Sequence, residues 1–237
     1  LAVLYVTLYL ILTIPLMIAE WIIGHFNKDL KDRSSLAIVQ WGFRCVIFIC
    51  GTKVTVIGEE NVPKDRAVLY IGNHRSFFDI ILTYARVPRP TGYIAKKEIL
   101  RVPLLPIWMR NVHCLFIDRT DIKAGLKTIL QAIDDVKHGI SIFVFPEGTR
   151  NKTQDVLLPF RDGSFKIATK AGCPVVPVTI THSRSIFEDH LPWVHAGHVT
   201  IEYGKPIETA SLSKEEQRAL PDQVAAVLTQ TYLKSNT

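Results

Sequence analysis

The chain has 237 residues, 48% hydrophobic and 21% charged, with a formal net charge of +6. That length and apolar content build one sizeable domain with a real core, and no internal repeat, low-complexity tract or second-domain linker interrupts it. Cys45, Cys50, Cys114 and Cys173 lack metal-type spacing and read as reduced thiols in core or membrane-facing sequence. The first residue is Leu rather than Met, which suggests a trimmed or processed chain.

Residues 1–19, LAVLYVTLYLILTIPLMIA, carry no charge. As a helix they would reach roughly 28 Å, just short of the hydrocarbon thickness of a bilayer. Pro15 is expected to bend that helix. No basic segment precedes it, which argues against a secretory signal. A second apolar stretch, Leu36 to Cys50, carries Gln40 and Arg44, and a helix would align both with Arg33 on one stripe. That is the pattern of a helix lying in a membrane interface. Residues 1–51 are therefore read as a membrane-associated helical hairpin, joined by NKDLKDRSS and dipping into one leaflet. A single span by the first helix, and a pair of ordinary core helices, are the alternatives.

From Lys53 onward, strand and helix signals alternate. KVTVIG, AVLYIG, TGYIA, HCLFID, ISIFVF, PVVPVTIT and HVTIEYG read as strands. An amphipathic helix from Thr120–Asp121 to Gly139 sets Leu126, Ile129, Leu130, Ile133 and Val136 on one face. Shorter helices follow NHRSFFD and run from Ser164 to Lys170, and the C-terminal helix is expected to be interrupted near Pro221. This order specifies an α/β domain over residues 52–237, with a mostly parallel sheet flanked by helices.

Charge is concentrated between Arg86 and Arg110, where Arg86, Arg89, Lys96, Lys97, Arg101 and Arg110 face only Glu98. Such a patch suits phosphates. Interleaving with ILRVPLLPIWM favours a lipid surface, and no recognised nucleic-acid module is present.

Three polar clusters follow apolar strands: NHRSFFD, FIDRT and FPEGTRN. Open α/β sheets bind their ligands at that end of the strands. His74 and Asp79 in the first could pair for proton transfer. Equally, Ser76 and Asp79 have the spacing of a helix-capping exchange. Asp79 could serve both ends if His74 precedes the helix and folds back over its first turn. Arg119 and Arg150 suit bidentate phosphate recognition, although single arginines are more often surface ion-pair partners. Gly148 would let a substrate approach the backbone after Glu147.

NHRSFFD, FIDR, FPEGTR and the proline-bearing VVPVTI, in this order and spacing, resemble the glycerolipid acyltransferase family, most closely the 1-acylglycerol-3-phosphate acyltransferases. The likeness runs from about Val54 to Glu202. It implies that His74 and Asp79 are the catalytic H-x-x-x-x-D pair. It assigns Arg119 and the turn Glu147, Gly148, Thr149, Arg150 to the acceptor and its phosphate, with Lys96 or Lys97 as a further cation, and Pro177 to the acyl side. Lysophosphatidic acid would be the acceptor; the alternatives are glycerol-3-phosphate or another lysophospholipid as acceptor, or a non-catalytic peripheral protein that binds anionic lipid. An acyl thioester on coenzyme A or acyl carrier protein would be the co-substrate, with no cofactor and no metal. The site would lie against a membrane surface, on the cytoplasmic face of the inner membrane. His113 and Cys114 before LFIDR, and Asn151 after FPEGTR, depart from the family's usual residues.

The remaining clusters are bland. His182, His190, His195 and His198 match no zinc spacing, and Asp134–Asp135 belongs to a solvated helix face. Trp108 and Trp193 suit either interfacial anchoring or core packing.

Overall fold

The computed structural model describes residues 2–161 and 163–235. Three helices open the chain: α1 (Ala2–Leu12), α2 (Ile14–Phe26) and α3 (Lys28–Ile49). The apolar start is thus not one rod, since α1 and α2 meet at 47°. The break sits at Thr13. Its hydroxyl donates to the Tyr9 carbonyl at 2.7 Å and accepts the indole N–H of Trp108 at 3.0 Å. Pro15 stands in the first turn of α2, where a missing N–H costs nothing. Trp108 is therefore core, at 3% exposure, whereas Trp193 is exposed.

The charged linker NKDLKDRSS is helical, contrary to the expected loop. It forms the start of α3, and the connection shrinks to Asn27, whose side-chain oxygen accepts from the Leu30 amide at 2.9 Å. A cap of that kind stabilises a helix start by about 1 kcal/mol. Glu20, 2% exposed, accepts the hydroxyls of Ser34 and Ser35 at 2.9 Å each. A buried carboxylate needs such donors, and these hold α3 against α2.

The stripe on α3 also differs from the expectation. Gln40 donates to the carbonyls of Val87 at 2.8 Å and Tyr84 at 3.3 Å, and Arg44 donates to that of Ala85 at 3.3 Å. Both cover the carboxyl end of α4 (Phe78–Tyr84), where orphan carbonyls and the helix dipole favour donors and cations. Of the three, Arg33 is exposed and has no hydrogen bond or ion pair among the described residues.

Among the described residues the sheet has seven strands: β1 (Lys53–Ile57), β2 (Leu69–Gly72), β3 (Thr91–Lys96), β4 (Leu115–Ile117), β5 (Ser141–Val144), β6 (Val175–Thr181) and β7 (His198–Tyr203). The order is β1-β7-β6-β2-β5-β3-β4. The five strands from β6 to β4 are mutually parallel, and β7 runs antiparallel to β6 with β1 parallel beside it. β2, β5 and β6 are buried along their whole length, as strands covered on both faces must be. Val68 and Tyr70 pack toward α3 and α4, with Trp108 of α5 (Leu105–Asn111). Leu69 and Ile71 pack toward α6 (Ile122–Lys137), α7 (Gly163–Ala171) and α8 (Lys214–Lys234). The period of two carries the two-sided core.

Two helices correct the sequence reading. In α6, Ile133 and Val136 are buried, but Leu126 and Leu130 are 58% and 57% exposed. The adjoining β4 has only three residues, too short to cover the first turns. α8 runs unbroken through Pro221. A proline inside a helix costs about 3 kcal/mol, and Leu220, Val224 and Leu228 at 0% exposure recover roughly 1.5–3 kcal/mol each.

Candidate active site

Because β2, β5, β3 and β4 are parallel, the segments that follow them emerge on one edge. His74 comes two residues after β2, with Asn73 between. Asn73, 1% exposed, donates to the Ile180 carbonyl at 2.9 Å and accepts its amide at 2.8 Å, so the exit of β2 is pinned to β6. The next peptides turn into α4. Ser76 Oγ accepts from the Phe78 amide at 3.0 Å, while Asp79 Oδ2 accepts from the amides of Ser76 and Arg75 at 2.7 Å each. The same Oδ2 lies 2.9 Å from His74 Nδ1. Both readings of NHRSFFD hold at once: Asp79 closes the helix start and holds the imidazole. Asp79 is fully buried, and its Oδ1 has no hydrogen-bond partner.

The imidazole is fixed on every other side as well. Its ring stacks on Phe145 with centroids 4.2 Å apart. The His74 amide donates to Glu147 Oε1 at 2.7 Å, and its carbonyl accepts the Asn151 amide at 2.6 Å. With Nδ1–H directed at Asp79, Nε2 keeps its lone pair and has no protein partner among the described residues. This is the tautomer a general base needs.

Glu147 is 4% exposed, and Oε2 accepts the Leu158 amide at 2.9 Å. Burial pushes its carboxyl above the ordinary range, opposed by the amides of Leu158 and His74 and the nearby imidazole. It works as a strut between the turns after β2 and β5, rather than as a ligand at the rim. The expected space above Gly148 is also taken. At φ 72°, a Cβ there would lie 2.4 Å from Nε of Arg161, so the close approach belongs to an arginine of the chain itself. Thr149 is exposed beside it.

Arg150 is engaged. Its Nη1 lies 2.9 Å from Glu188 Oε1, and its guanidinium covers the Phe77 ring at 3.6 Å. Glu188 also accepts the Ser76 hydroxyl at 2.5 Å and the Phe77 amide at 2.8 Å, which makes it a hub for the turn that carries His74. Arg119 follows β4, three strand positions from β2 and roughly 14 Å away by strand spacing. Its guanidinium is held below its ordinary value by crowding against the protein and then by the Arg161 charge, with Glu98 opposing. Lys97 pairs with Asp118 at 2.5 Å. That ammonium, followed by the Thr120 hydroxyl and amide, keeps the Asp118 carboxyl far below the usual carboxylate range. Lys96 is exposed at the end of β3. Pro177 lies in β6 beside Ile71, three residues short of His74, where its carbonyl accepts the Gly204 amide at 2.8 Å. β7 stops at Tyr203, so the N–H that Pro177 lacks is not missed.

Asn73, Phe145, Arg161 and Glu188 were not singled out by the sequence. Arg161 had a weak signal, as a cation in PFRDG. Glu188 had none, because its role depends on a loop folding back over a turn more than a hundred residues earlier. Three of the four histidines of the 182–198 segment find ordinary partners: His190 and His195 stack at 4.1 Å, and His198 Nε2 lies 2.7 Å from the Thr55 hydroxyl. All four cysteines are free thiols.

Compared with known proteins, the Acyltransferase family model matches residues 53–181. A 1-acyl-sn-glycerol-3-phosphate acyltransferase of Borreliella burgdorferi is 30% identical over 188 residues, 79% of this chain and 75% of that protein. Its namesake in Escherichia coli is 29% identical over 225 residues, 93% of this chain and 90% of that protein. The crystal structure of a 1-acyl-sn-glycerophosphate acyltransferase from Thermotoga maritima is similar at a TM-score of 0.76 and 25% identity, covering 98% of this chain and 96% of that one.

Proposed function

The chain belongs to the acyltransferase family, and on that premise we propose that it acylates the sn-2 hydroxyl of 1-acylglycerol-3-phosphate, giving phosphatidic acid. The observation that carries the reading is the His74–Asp79 contact of 2.9 Å at the open end of the sheet, together with the names its relatives bear. Nε2 of neutral His74 takes the proton of the attacking hydroxyl while the hydroxyl oxygen bonds to the thioester carbonyl carbon. The C–S bond then breaks, the thiolate leaves, and the proton on Nε2 returns to sulfur. Buried Asp79 stabilises the transient imidazolium, so no protein nucleophile is required.

The donor arm belongs to coenzyme A or acyl carrier protein, and no cofactor takes part. Lysolipid and product both live in a bilayer, and an apolar face suits that supply. Leu12, Trp21 and Phe26 on α1 and α2 are 73%, 66% and 86% exposed. No single helix is long and apolar enough to cross a membrane, although the bent α1–α2 pair passes by length and composition. In this reading residues 1–51 dock on the cytoplasmic leaflet and residues 52–237 carry the chemistry.

The test is thiol release from an acyl thioester by the purified protein with lysophosphatidic acid. General acid–base catalysis contributes about 10²–10⁴-fold, so His74→Ala should lose at least the lower figure. A His74→Ala variant at full rate would refute the mechanism. Flotation with phospholipid vesicles, weakened by Phe26→Glu, checks the docking face.

A further inference from the structure

We propose that the phosphate of the thioester donor's phosphopantetheine arm, a group common to coenzyme A and acyl carrier protein, binds in a cavity between the loop after β6 and the carboxyl end of α8, on Arg75, Ser183 and Arg184. This rests on the acyl-transfer reading above and adds to it the place where the donor's arm is held.

The cavity measures about 290 Å³, and those three residues line it with Asp189 and Tyr232. Arg75 is its most deeply held charge, at 9% exposure. Nη1 and Nη2 donate to the carbonyls of Asp155 at 2.9 Å and Thr153 at 2.8 Å, and the guanidinium lies 5.5 Å from the centroid of the Tyr232 ring. Nε is buried with no hydrogen-bond partner. Among the described residues no carboxylate pairs with this side chain. Carbonyl dipoles and a ring face share its charge without neutralising it. A buried cation is normally matched by an anion, and this one meets none from the chain.

Two further donors point the same way. Ser183 is 2% exposed, and its hydroxyl has no hydrogen bond among the described residues. Buried hydroxyls seldom go unpaired, so one that lines a cavity suits a ligand oxygen. Arg184 sets both Nε and Nη2 on a single oxygen, Oδ1 of Asp189, at 3.0 Å each. The two side chains are 30% and 43% exposed, and solvent screens such a pair to little net value. A phosphate can therefore draw on Arg184 at small cost, through a charge-assisted contact.

The cavity adjoins the reacting centre. Arg75 follows His74 directly, and its amide donates to Asp79 Oδ2 at 2.7 Å. The carbonyls that hold its guanidinium belong to the loop whose Asn151 amide donates to the His74 carbonyl at 2.6 Å. Strand order then separates two approaches. β2 lies between β6 and β5. The turns that the motifs give to the acceptor follow β5 and β4, whereas Ser183 and Arg184 follow β6. A hydroxyl brought in on one side of β2 and a thioester held on the other meet at His74, which β2 itself delivers. The arm shared by the two carriers has one kind of ionised group, its phosphate, and that is the group a buried arginine can select.

The experiment follows consumption of three palmitoyl thioesters, those of coenzyme A, of acyl carrier protein and of pantetheine without phosphate, each with saturating lysophosphatidic acid. Arg184→Gln should raise KM for a phosphate-bearing donor by about 10-fold, with kcat little changed. It should shrink the wild-type preference over the pantetheine thioester by the same factor, and Arg184→Lys should recover part. Ser183→Ala should act in the same direction by less, and Arg75→Gln by more. If circular dichroism shows Arg75→Gln unfolded, the other two variants carry the test. A rise with both carriers supports a site for the common phosphate, and a rise with one alone supports it and names the carrier. Unchanged donor KM in Arg184→Gln and Ser183→Ala, an equal rise with the pantetheine thioester, or a rise in KM for lysophosphatidic acid instead overturns the assignment and leaves the acyl-transfer reading intact. Wild-type protein that consumes no thioester overturns that reading itself.

Discussion

The edge of the sheet carries two kinds of polar side chain, and they behave oppositely. Around β2 and β6 the groups hold one another. Asp79 takes three donors on one oxygen, Glu147 bridges two amides, and Glu188 gathers Arg150, Ser76 and Phe77. At the end of β3 and on the segments after β5, β3 and β4, Arg119, Arg161 and Lys96 have no side-chain hydrogen bond or ion pair among the described residues, while Lys97 pairs with Asp118. A preorganised catalytic group must be over-determined by protein, whereas a binding group must keep its hydrogen bonds unspent until a ligand arrives. Substitutions on the first side should therefore damage rate and stability together, and those on the second should change binding alone.

The largest effect belongs to Asp79→Asn. Without the carboxylate charge the imidazolium is unsupported, so kcat should fall by about 10²–10⁴-fold with secondary structure retained by circular dichroism. Full activity would mean that Asp79 only caps α4. Glu188→Ala comes next, since it leaves Arg150 uncompensated and the Ser76 hydroxyl unpaired. A loss of about 3 kcal/mol in urea unfolding is expected, accompanied by a fall in kcat. Asn73→Ala strands the Ile180 amide and carbonyl in the core, which should cost about 2 kcal/mol, and an unchanged unfolding midpoint would show that water replaces the side chain.

On the open side the effects are small. Lys96→Gln should shift stability by no more than about 0.5 kcal/mol, so a large loss there would break the contrast. Lys97→Met should be visible chiefly at Asp118. In the native protein the depressed carboxyl stays ionised at low pH. The stability it lends is present above its unfolded value and fades as the pH drops through the folded one. Removing the ammonium should return its NMR titration toward about 3.9.

The pairing of His74 with Asp79 and the strand that delivers it were legible because both are local. AVLYIG is a continuous apolar run, and a polar cluster follows at its end. The parallel sheet was legible too, from the alternation of strands and helices. Less legible were elements whose fate depends on a neighbour. NKDLKDRSS looked like a loop because charge suggests solvent, yet Asn27 can cap a helix and Glu20 supplies a buried partner for Ser34 and Ser35. Gln40 and Arg44 looked like headgroup contacts until the carbonyls ending α4 claimed them.

Sequence alone settled which side chains could do acid–base work and which could meet phosphate, because side-chain chemistry travels with the residue. Tertiary structure decided which of the arginines remain free. Whether a charge is spent depends on what lies within about 4 Å of it, and for Arg150 and Arg161 those neighbours come from loops that only folding brings together.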